Sequence, residues 1–85
     1  MSDLTGRTVL IAGATSASGL AATRTLAAAG ARVVATGRSA EKLAPLAALG
    51  AHTETVDLAD ERAVRELVRG LHDRGLRLDG LLHLV

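Results

Sequence analysis

The sequence has no cysteine and no phenylalanine, tyrosine or tryptophan among its 85 residues. The absence of cysteine excludes disulfide bonds, thiolate metal ligands and a cysteine nucleophile, and it fits a reducing environment such as the cytoplasm. The absence of tyrosine excludes any mechanism in which this chain itself supplies a tyrosine acid. Since 48% of the residues are hydrophobic and none is aromatic, we expect a core of tightly packed aliphatic side chains.

An excess of charge of either sign is also missing. Ten Lys and Arg residues are balanced by nine Asp and Glu residues, and the basic residues are scattered along the chain. This distribution predicts no electrostatic surface for a nucleic acid or a membrane. The sequence also has no apolar run of membrane-spanning length and no leader-like N-terminus, so we expect a soluble, cytoplasmic protein.

The histidines do not predict a metal site. His52, His72 and His83 fall in separate predicted elements, without a carboxylate at ligand spacing beside them. A lone histidine is more often a surface or core residue than a ligand, because a stable site needs three or four ligands that converge. We therefore expect no bound metal.

The length is that of one small domain, and apolar or β-branched runs alternate with segments of helical periodicity. We predict strands at 9–12, 32–36, 52–56 and 78–85, and helices at 19–29, 39–50 and 60–74. This alternation predicts an α/β fold with helices on both faces of a parallel sheet, right-handed crossovers and strand order 3-2-1-4. The polar third strand suits a sheet edge, and Pro45 is expected to kink or shorten the second helix.

A loop of small residues joins the first strand to the first helix. Gly13 ends the strand and Gly19 opens the helix, which is the layout of a nucleotide-phosphate site. A helix N-terminus offers unpaired N–H donors and a partial positive charge, and small side chains let a pyrophosphate reach them. A structural turn that merely needs small residues is the alternative. The candidate residues are Gly13, Thr15, Ser16, Ala17, Ser18, Gly19 and Leu20.

The two serines of this loop have alternative roles. Ser16 and Ser18 are both able to offer hydroxyl groups to phosphates, whereas Ser18 is also placed to cap the first helix. The middle glycine of a dinucleotide fingerprint is absent, and Ser16 and Ala17 stand where it would fall.

The end of the second strand predicts the type of nucleotide. A carboxylate there binds the ribose 2′-hydroxyl, whereas an arginine binds a 2′-phosphate. Here Arg38 and Ser39 follow the strand, and no acidic residue lies between the strand and Glu41. We therefore expect NADP(H) to be preferred over NAD(H), with Arg38 and Ser39 as binding residues; Ser39 also occupies a helix N-cap position. A solvent-facing arginine is the alternative for Arg38.

Asp57 and Leu58 follow the third strand and are candidates for contact with an adenine ring. The Asp57 carboxylate would accept a hydrogen bond from the adenine amino group, and the Leu58 backbone would lie along the ring. The alternative is that Asp57 or Asp60 only caps the third helix.

Taken together, these motifs resemble the short-chain dehydrogenases/reductases. The loop at 12–19 is similar to the family's Thr-Gly-x-x-x-Gly-x-Gly signature at its first and last glycines and departs from it at Ala12 and Ala17. The segment 36–39 resembles the strand ending of NADP-preferring members, and Asp57-Leu58 resembles the adenine-contacting pair. The segment 78–82 is similar to the family's Leu-Asp-x-Leu-Val entry into its fourth strand. The resemblance implies a Rossmann-like, three-layer fold.

The resemblance also implies oxidoreductase chemistry, which the chain alone is not expected to perform. The family uses a Ser and a Tyr-x-x-x-Lys, yet this sequence has no tyrosine, and its one lysine, Lys42, falls in the second predicted helix. His83 stands where the family usually has the first Asn of Asn-Asn-Ala-Gly. We therefore expect residues 1–85 to be a single, incomplete NADP-binding domain, the N-terminal portion of such an enzyme, without catalytic residues.

The apolar segment 81–85 would form an exposed strand at the sheet edge, which is a template for pairing. An alternative function is therefore a non-catalytic pairing module, or a half-enzyme that docks through this strand. Either would form a homo-oligomer or hetero-oligomer and would be completed by another chain.

Overall fold

The computed structural model describes residues 4–83, in which four strands alternate with three helices. The elements are β1 (Thr8–Ala12), α1 (Ala17–Ala28), β2 (Arg32–Gly37), α2 (Ala40–Ala48), β3 (His52–Thr55), α3 (Glu61–Asp73) and β4 (Gly80–His83). Their order and type confirm the predicted β-α alternation. Most predicted boundaries agree with these bounds to within two residues.

The four strands form one parallel sheet in the order β3-β2-β1-β4. The predicted order 3-2-1-4 is therefore correct. β1 lies in the interior, where Leu10 is aligned with Val34 of β2 on one side and with Leu81 of β4 on the other. β3 lies at an edge, as its polar sequence predicts, and it is aligned only with β2.

Each face of the sheet carries its own aliphatic cluster. On one face Ile11 and Ala35 pack with Leu43 and Leu46 of α2, and α1 completes this cluster. On the other face Leu10 and Val34 pack against Leu71 of α3. Because side chains alternate between the faces of a strand, β1 and β2 contribute to both clusters. The result is a three-layer α/β/α arrangement with α1 and α2 on one side and α3 on the other.

The first helix starts earlier than its sequence suggested, because Ser16 is its N-cap and Ser18 is not. The Ser16 hydroxyl accepts a hydrogen bond from the Gly19 N–H at 3.1 Å, and the helix begins at Ala17. Ser18 therefore lies within the first turn, where its side chain is exposed. The proposed capping role of Ser18 is wrong.

The other two helices begin where their caps predict. The Ser39 hydroxyl accepts the Lys42 N–H, and the Asp60 carboxylate accepts the N–H groups of Arg62 and Ala63. Pro45 lies inside α2, which continues to Ala48 and is the shortest of the three helices at 9 residues. Pro45 therefore does not end the helix, although a proline at this position removes one backbone hydrogen bond.

The last described strand is shorter than predicted, since it begins at Gly80 and not at residue 78. Leu78 packs against the α3-side cluster, and Asp79 binds the backbone of Thr8. The predicted strand residues 84 and 85 lie outside the described part of the chain. No helix in residues 4–83 is both long and apolar enough to cross a bilayer. The cytoplasmic location stays a prediction.

Candidate functional site

A cleft lies at the edge of the sheet where the parallel strands end. It has a volume of about 390 Å³ and is bordered by residues that follow β1, β2 and β3, together with the last residue of β4. The lining residues are Gly13, Thr15, Gly37, Arg38, Val56, Asp57, Leu58, Ala59 and His83. In open α/β sheets, ligands bind at this edge where the strand order reverses. Here the order reverses at β1, because β2 and β4 lie on opposite sides of it.

The loop after β1 is tied to the end of β2. Gly13 has a φ of +79°, a conformation that side chains disfavour, and this turns the backbone out of the strand. The Ala14 N–H then donates to the Thr36 carbonyl at 3.0 Å, and the buried Thr36 hydroxyl donates to the Ile11 carbonyl at 2.9 Å. These bonds hold the start of the loop in a fixed position above the sheet.

Gly19 allows α1 to approach the loop. A Cβ atom at this position would overlap the Ala14 carbonyl oxygen and would lie 2.6 Å from Ala14 Cα. The Thr23 hydroxyl, which is buried, donates to the Gly19 carbonyl at 2.8 Å and secures the first turn. The second glycine of the predicted loop is therefore required by packing, because it lets the first turn of α1 contact the backbone of Ala14.

The N-terminus of α1 presents donors to solvent. The Ser16 side chain caps the Gly19 N–H, and the Leu20 N–H bonds the Ser16 carbonyl. Within residues 4–83 the N–H groups of Ala17 and Ser18 have no acceptor, as expected for the first turn of a helix. Thr15, Ala17 and Ser18 are exposed. An anion of phosphate size fits the chemistry of these donors, because the helix dipole favours negative charge there.

Arg38, which follows β2, also lines the cleft. Its side chain is exposed, and in the described part of the chain it makes no ion pair. The neighbouring Gly37 is buried beneath Thr15, since a Cβ atom at Gly37 would lie 2.8 Å from Thr15 Cγ2. Ser39 caps α2 and does not line the cleft.

Asp57 and Leu58, which follow β3, line the same cleft. One carboxylate oxygen of Asp57 accepts the Ala59 N–H at 3.0 Å, and the Asp57 carbonyl accepts the Asp60 N–H at 2.9 Å. This turn presents Asp57 in the cleft, whereas Asp60 caps α3. The alternative in which Asp57 caps the helix is therefore wrong. The second oxygen of Asp57 makes no hydrogen bond within residues 4–83.

The structure divides the predicted loop residues between two spaces. Gly13 and Thr15 border the main cleft. A smaller recess of about 130 Å³ lies toward α2, and Thr15 borders it together with Ser16, Ala17 and Leu20. Leu20 also packs against the cluster on the α1 and α2 face. Ser18 and Gly19 border neither space, so the contribution of Gly19 is to backbone packing.

Some residues of the cleft were not among the sequence candidates. They are Gly37, Val56, Ala59 and His83. Their common signal is position, because each lies at or just beyond the last residue of a parallel strand, apart from Ala59 in the turn after β3. His83 had no predicted site role, although it stands where the family usually has the first Asn of Asn-Asn-Ala-Gly. Within residues 4–83 no three His, Asp or Glu side chains converge as a metal site would require.

Comparisons with known proteins agree with this arrangement. A family model described as short chain dehydrogenase matches residues 7–84. A Streptomyces protein provisionally named daunorubicin C-13 ketoreductase DnrU is 46% identical over 89% of this chain and 29% of its own length. Sulfoacetaldehyde reductase 2 of Chromohalobacter salexigens is 39% identical over 98% of this chain and 33% of its own length.

The backbone of the chain is also similar to that of a solved structure. The citronellol catabolism dehydrogenase of Pseudomonas aeruginosa superposes with a TM-score of 0.85 and 34% identity, over 95% of this chain and 37% of that chain. The chain therefore spans about a third of the length of the relatives it matches. Because the family model matches nearly all of the sequence, the chain belongs to the short-chain dehydrogenase family of oxidoreductases.

Proposed function

We propose that residues 1–85 are the NADP(H)-binding N-terminal portion of a short-chain dehydrogenase/reductase. The observation that carries this proposal is the cleft shared by the loop after β1, the Arg38 side chain and the Asp57-Leu58 turn. These three groups would bind the pyrophosphate, the 2′-phosphate and the adenine ring of one dinucleotide. The reaction of the whole protein would be hydride transfer between NADP(H) and a carbonyl or alcohol.

The proposed pyrophosphate site uses the backbone at the start of α1. The N–H groups of Ala17 and Ser18 lack acceptors within residues 4–83, and the exposed Ser18 hydroxyl is free to add a further hydrogen bond. The Ser16 hydroxyl is already engaged, because it caps Gly19 and lies 3.4 Å from the Gly13 carbonyl. Of the two serines, Ser18 therefore keeps a hydroxyl that is free for a phosphate contact, at the exposed start of α1 and not in the lining of the cleft.

The proposed preference for NADP(H) rests on the charge beside β2. The guanidinium of Arg38 is exposed and free of ion pairs within residues 4–83, so it is able to form charge-assisted hydrogen bonds with a 2′-phosphate. The first acidic residue after β2 is Glu41, which lies in α2 beyond Ser39. A carboxylate that would select a 2′-hydroxyl and repel a 2′-phosphate is thus missing directly after the strand.

The chain does not carry the rest of an active site in its sequence. It has no tyrosine, and Lys42, its one lysine, is exposed in the first turn of α2. Residues outside this sequence would have to supply the acid and base groups for hydride transfer. Two relatives are named as reductases of carbonyl compounds, which favours carbonyl reduction as the direction of the complete protein's reaction.

Titration of the folded chain with nucleotides tests the proposal. NADPH and adenosine 2′,5′-bisphosphate are expected to bind saturably, with a lower dissociation constant for NADPH than for NADH. Isothermal titration calorimetry measures all three, and the fluorescence of NADPH provides an independent readout without tyrosine or tryptophan emission from the protein. Absence of saturable binding, or tighter binding of NADH, would contradict the proposal.

The exposed edge of β4 favours a second function, which is pairing with another chain through this strand. Within residues 4–83, β4 is aligned only with β1, and 66% of the Leu81 surface is exposed. A second cleft of about 490 Å³ lies beside this strand, and its lining is mainly apolar, with Leu58, Val64, Val68, Leu78 and Leu81 among its residues. A strand or helix of another chain would bury this surface, as unpaired apolar edges favour association.

Sedimentation velocity distinguishes pairing from simple nucleotide binding. If the chain pairs through β4, Leu81→Lys will shift the protein toward monomer, because the introduced charge opposes burial of the edge. Thr25→Lys, at an exposed site on α1, is the matched control and is expected to leave the distribution unchanged. A parent chain that is monomeric at all concentrations and binds NADPH would argue against obligate pairing.

A further inference from the structure

The first residue of β4, Gly80, has no structural requirement for glycine. It is aligned with Val9 of β1, and its φ is not positive. A Cβ atom at this position would lie 3.8 Å from Val9 Cγ2, which is an ordinary van der Waals contact. A glycine inside a strand often marks a bulge or a close approach of another backbone, and the regular pairing of β4 with β1 contains neither. The fold would therefore accept alanine here.

Asp79 stands directly before this glycine, and the two form the only Asp-Gly pair in the sequence. The side-chain carboxyl group of an aspartate is able to react with the backbone nitrogen of the next residue. Glycine has the least hindered nitrogen, because it has no side chain. The sequence contains no asparagine, so deamidation does not compete with this reaction or obscure its product.

In the folded chain the Asp79 carboxylate is held at the start of β1. One oxygen accepts the Thr8 N–H at 2.9 Å, and the other lies 3.5 Å from the Arg7 guanidinium. The Asp79 N–H also donates to the Thr8 carbonyl at 2.8 Å. Reaction with the next residue requires the carboxyl carbon to turn from Thr8 toward the Gly80 nitrogen. These contacts therefore have to break, and β4 has to leave its alignment with β1, before the reaction begins.

We propose that Asp79 and Gly80 form a self-modification site, at which the chain isomerises to isoaspartate when β4 separates from β1. The Gly80 nitrogen forms a bond to the side-chain carboxyl carbon of Asp79. The hydroxyl group of that carboxyl leaves as water, together with the proton of the Gly80 N–H, and a succinimide ring remains. Water then opens the ring. Cleavage of the new bond restores aspartate, whereas cleavage of the original peptide bond leaves a backbone that runs through the Asp79 side chain. No atom is oxidised or reduced, and water is the co-reactant.

The position of the site in the sheet favours its opening and makes the product lasting. Within residues 4–83, β4 is aligned only with β1, and Leu81 is 66% exposed, so β4 separates at a lower cost than an interior strand. Isoaspartate adds a backbone carbon before Gly80 and shortens the carboxylate side chain. The product therefore keeps neither the strand spacing nor the bond from the Thr8 N–H. Isomerisation converts a reversible separation of β4 into a permanent one.

Peptide mapping of the aged chain tests this site. The parent and Gly80→Ala are incubated at neutral pH, each in buffer and in guanidinium chloride, and are then digested with trypsin. The tryptic peptide that begins at Leu78 contains Asp79 as its single aspartate. Its aspartyl and isoaspartyl forms have equal mass, and chromatography with electron-transfer fragmentation distinguishes them. The other described aspartates are internal controls, because none of them precedes a glycine: Asp57, Asp60 and Asp73.

Isoaspartate is expected to accumulate at Asp79 in the unfolded parent and about 10-fold more slowly in the folded parent, because a hydrogen bond to a charged group has to break first. Gly80→Ala is expected to lose most of this product in guanidinium chloride, since the methyl group hinders the nitrogen. It should unfold at no lower denaturant concentration than the parent, because the added Cβ meets only an ordinary contact. The purified isoaspartyl chain is expected to unfold at a lower denaturant concentration than the unmodified chain.

Three results would overturn the proposal. Equal rates at Asp79 in buffer and in guanidinium chloride would exclude protection by the docking of β4. Isoaspartate that is absent from the unfolded parent, or equally abundant in Gly80→Ala, would exclude the site itself. An isoaspartyl chain as stable as the parent would exclude the permanent loss of β4. None of these results bears on nucleotide binding, since neither Asp79 nor Gly80 lines the cleft that contains Arg38.

Discussion

Asp79 and Thr8 exchange two hydrogen bonds between segments that are 71 residues apart. The Asp79 carboxylate accepts the Thr8 N–H at 2.9 Å, and the Asp79 N–H donates to the Thr8 carbonyl at 2.8 Å. The other carboxylate oxygen lies 3.5 Å from the guanidinium of the exposed Arg7. These contacts join the residue before β4 to the first residue of β1 and align the two strands.

Removal of the Asp79 carboxylate will destabilise the chain. Asp79→Ala leaves the Thr8 N–H without its acceptor in a partly buried position, and we expect a loss of about 1–2 kcal/mol in the free energy of unfolding. The ion pair with Arg7 adds little, because it is exposed. Urea denaturation followed by circular dichroism measures the change. Asp73→Ala, at an exposed site at the end of α3, is the control, and an equal loss there would contradict this role of Asp79.

Two glycines in helices will respond to alanine in opposite ways. Gly19→Ala places a Cβ against the backbone of Ala14, which cannot move without disturbing the loop, so a loss of about 1–3 kcal/mol is expected. In Gly70→Ala the added Cβ meets no atom within 4 Å, and alanine favours a helix interior by about 0.5–1 kcal/mol. Thermal unfolding compares the variants. A Gly19→Ala protein as stable as Gly70→Ala would contradict the observed packing of the loop.

The two serines at the start of α1 differ in their contribution to stability. Ser16→Ala removes the cap on the Gly19 N–H and is expected to reduce the free energy of unfolding by about 1 kcal/mol. Ser18→Ala, within the first turn and exposed, is expected to change it by less than about 0.5 kcal/mol. Chemical denaturation of both variants provides the measurement. The reverse ranking would place the cap at Ser18.

Replacement of Arg38 will change selectivity between the two dinucleotides. Arg38→Ala removes the proposed partner of the 2′-phosphate, so the affinity for NADPH is expected to fall about 10-fold while the affinity for NADH stays within about 2-fold. Arg69→Ala is the matched control, because Arg69 is exposed on α3 and does not line the cleft. Calorimetry in low and high salt measures both affinities. Equal losses for NADPH and NADH would indicate a structural role for Arg38.

The fold was predictable from the sequence because its signals are local and repeated. Each of the three β-α units has a helix cap and a closing glycine, and the first two begin with an apolar strand. Because parallel crossovers are right-handed, few strand orders are possible. The cap Ser39 was assigned correctly, since it is the single suitable residue before α2, whereas Asp57 and Asp60 were both candidates for the cap of α3, which is Asp60. The cap of α1 was not assigned correctly from the sequence, because Ser16 and Ser18 both fit. No acidic residue follows to form a capping box that would distinguish them.

Contacts between distant segments were not predictable in the same way. Asp79 was interpreted only as part of a strand, because its partner is a backbone N–H at the start of the chain. Gly13, Arg38 and Asp57 were candidates because each lies just after a predicted strand and has a suitable residue type, and all three line the cleft. His83 lies in the same cleft because it is aligned with Ala12 at the end of β1. The sequence predicted that β4 and β1 are neighbours, but it did not predict their register.

The interior position of β1 determines when both of its edges are paired. β1 is the first strand to be synthesised, yet one of its two neighbours is β4, the last described strand of the chain. Contacts between residues far apart in sequence form slowly, because a long segment has to be ordered before they contribute. On the ribosome, the strand that leads into the glycine loop therefore keeps one edge unpaired until residues 80–83 have emerged. This edge of β1 is thus exposed to misassociation until β4 docks against it.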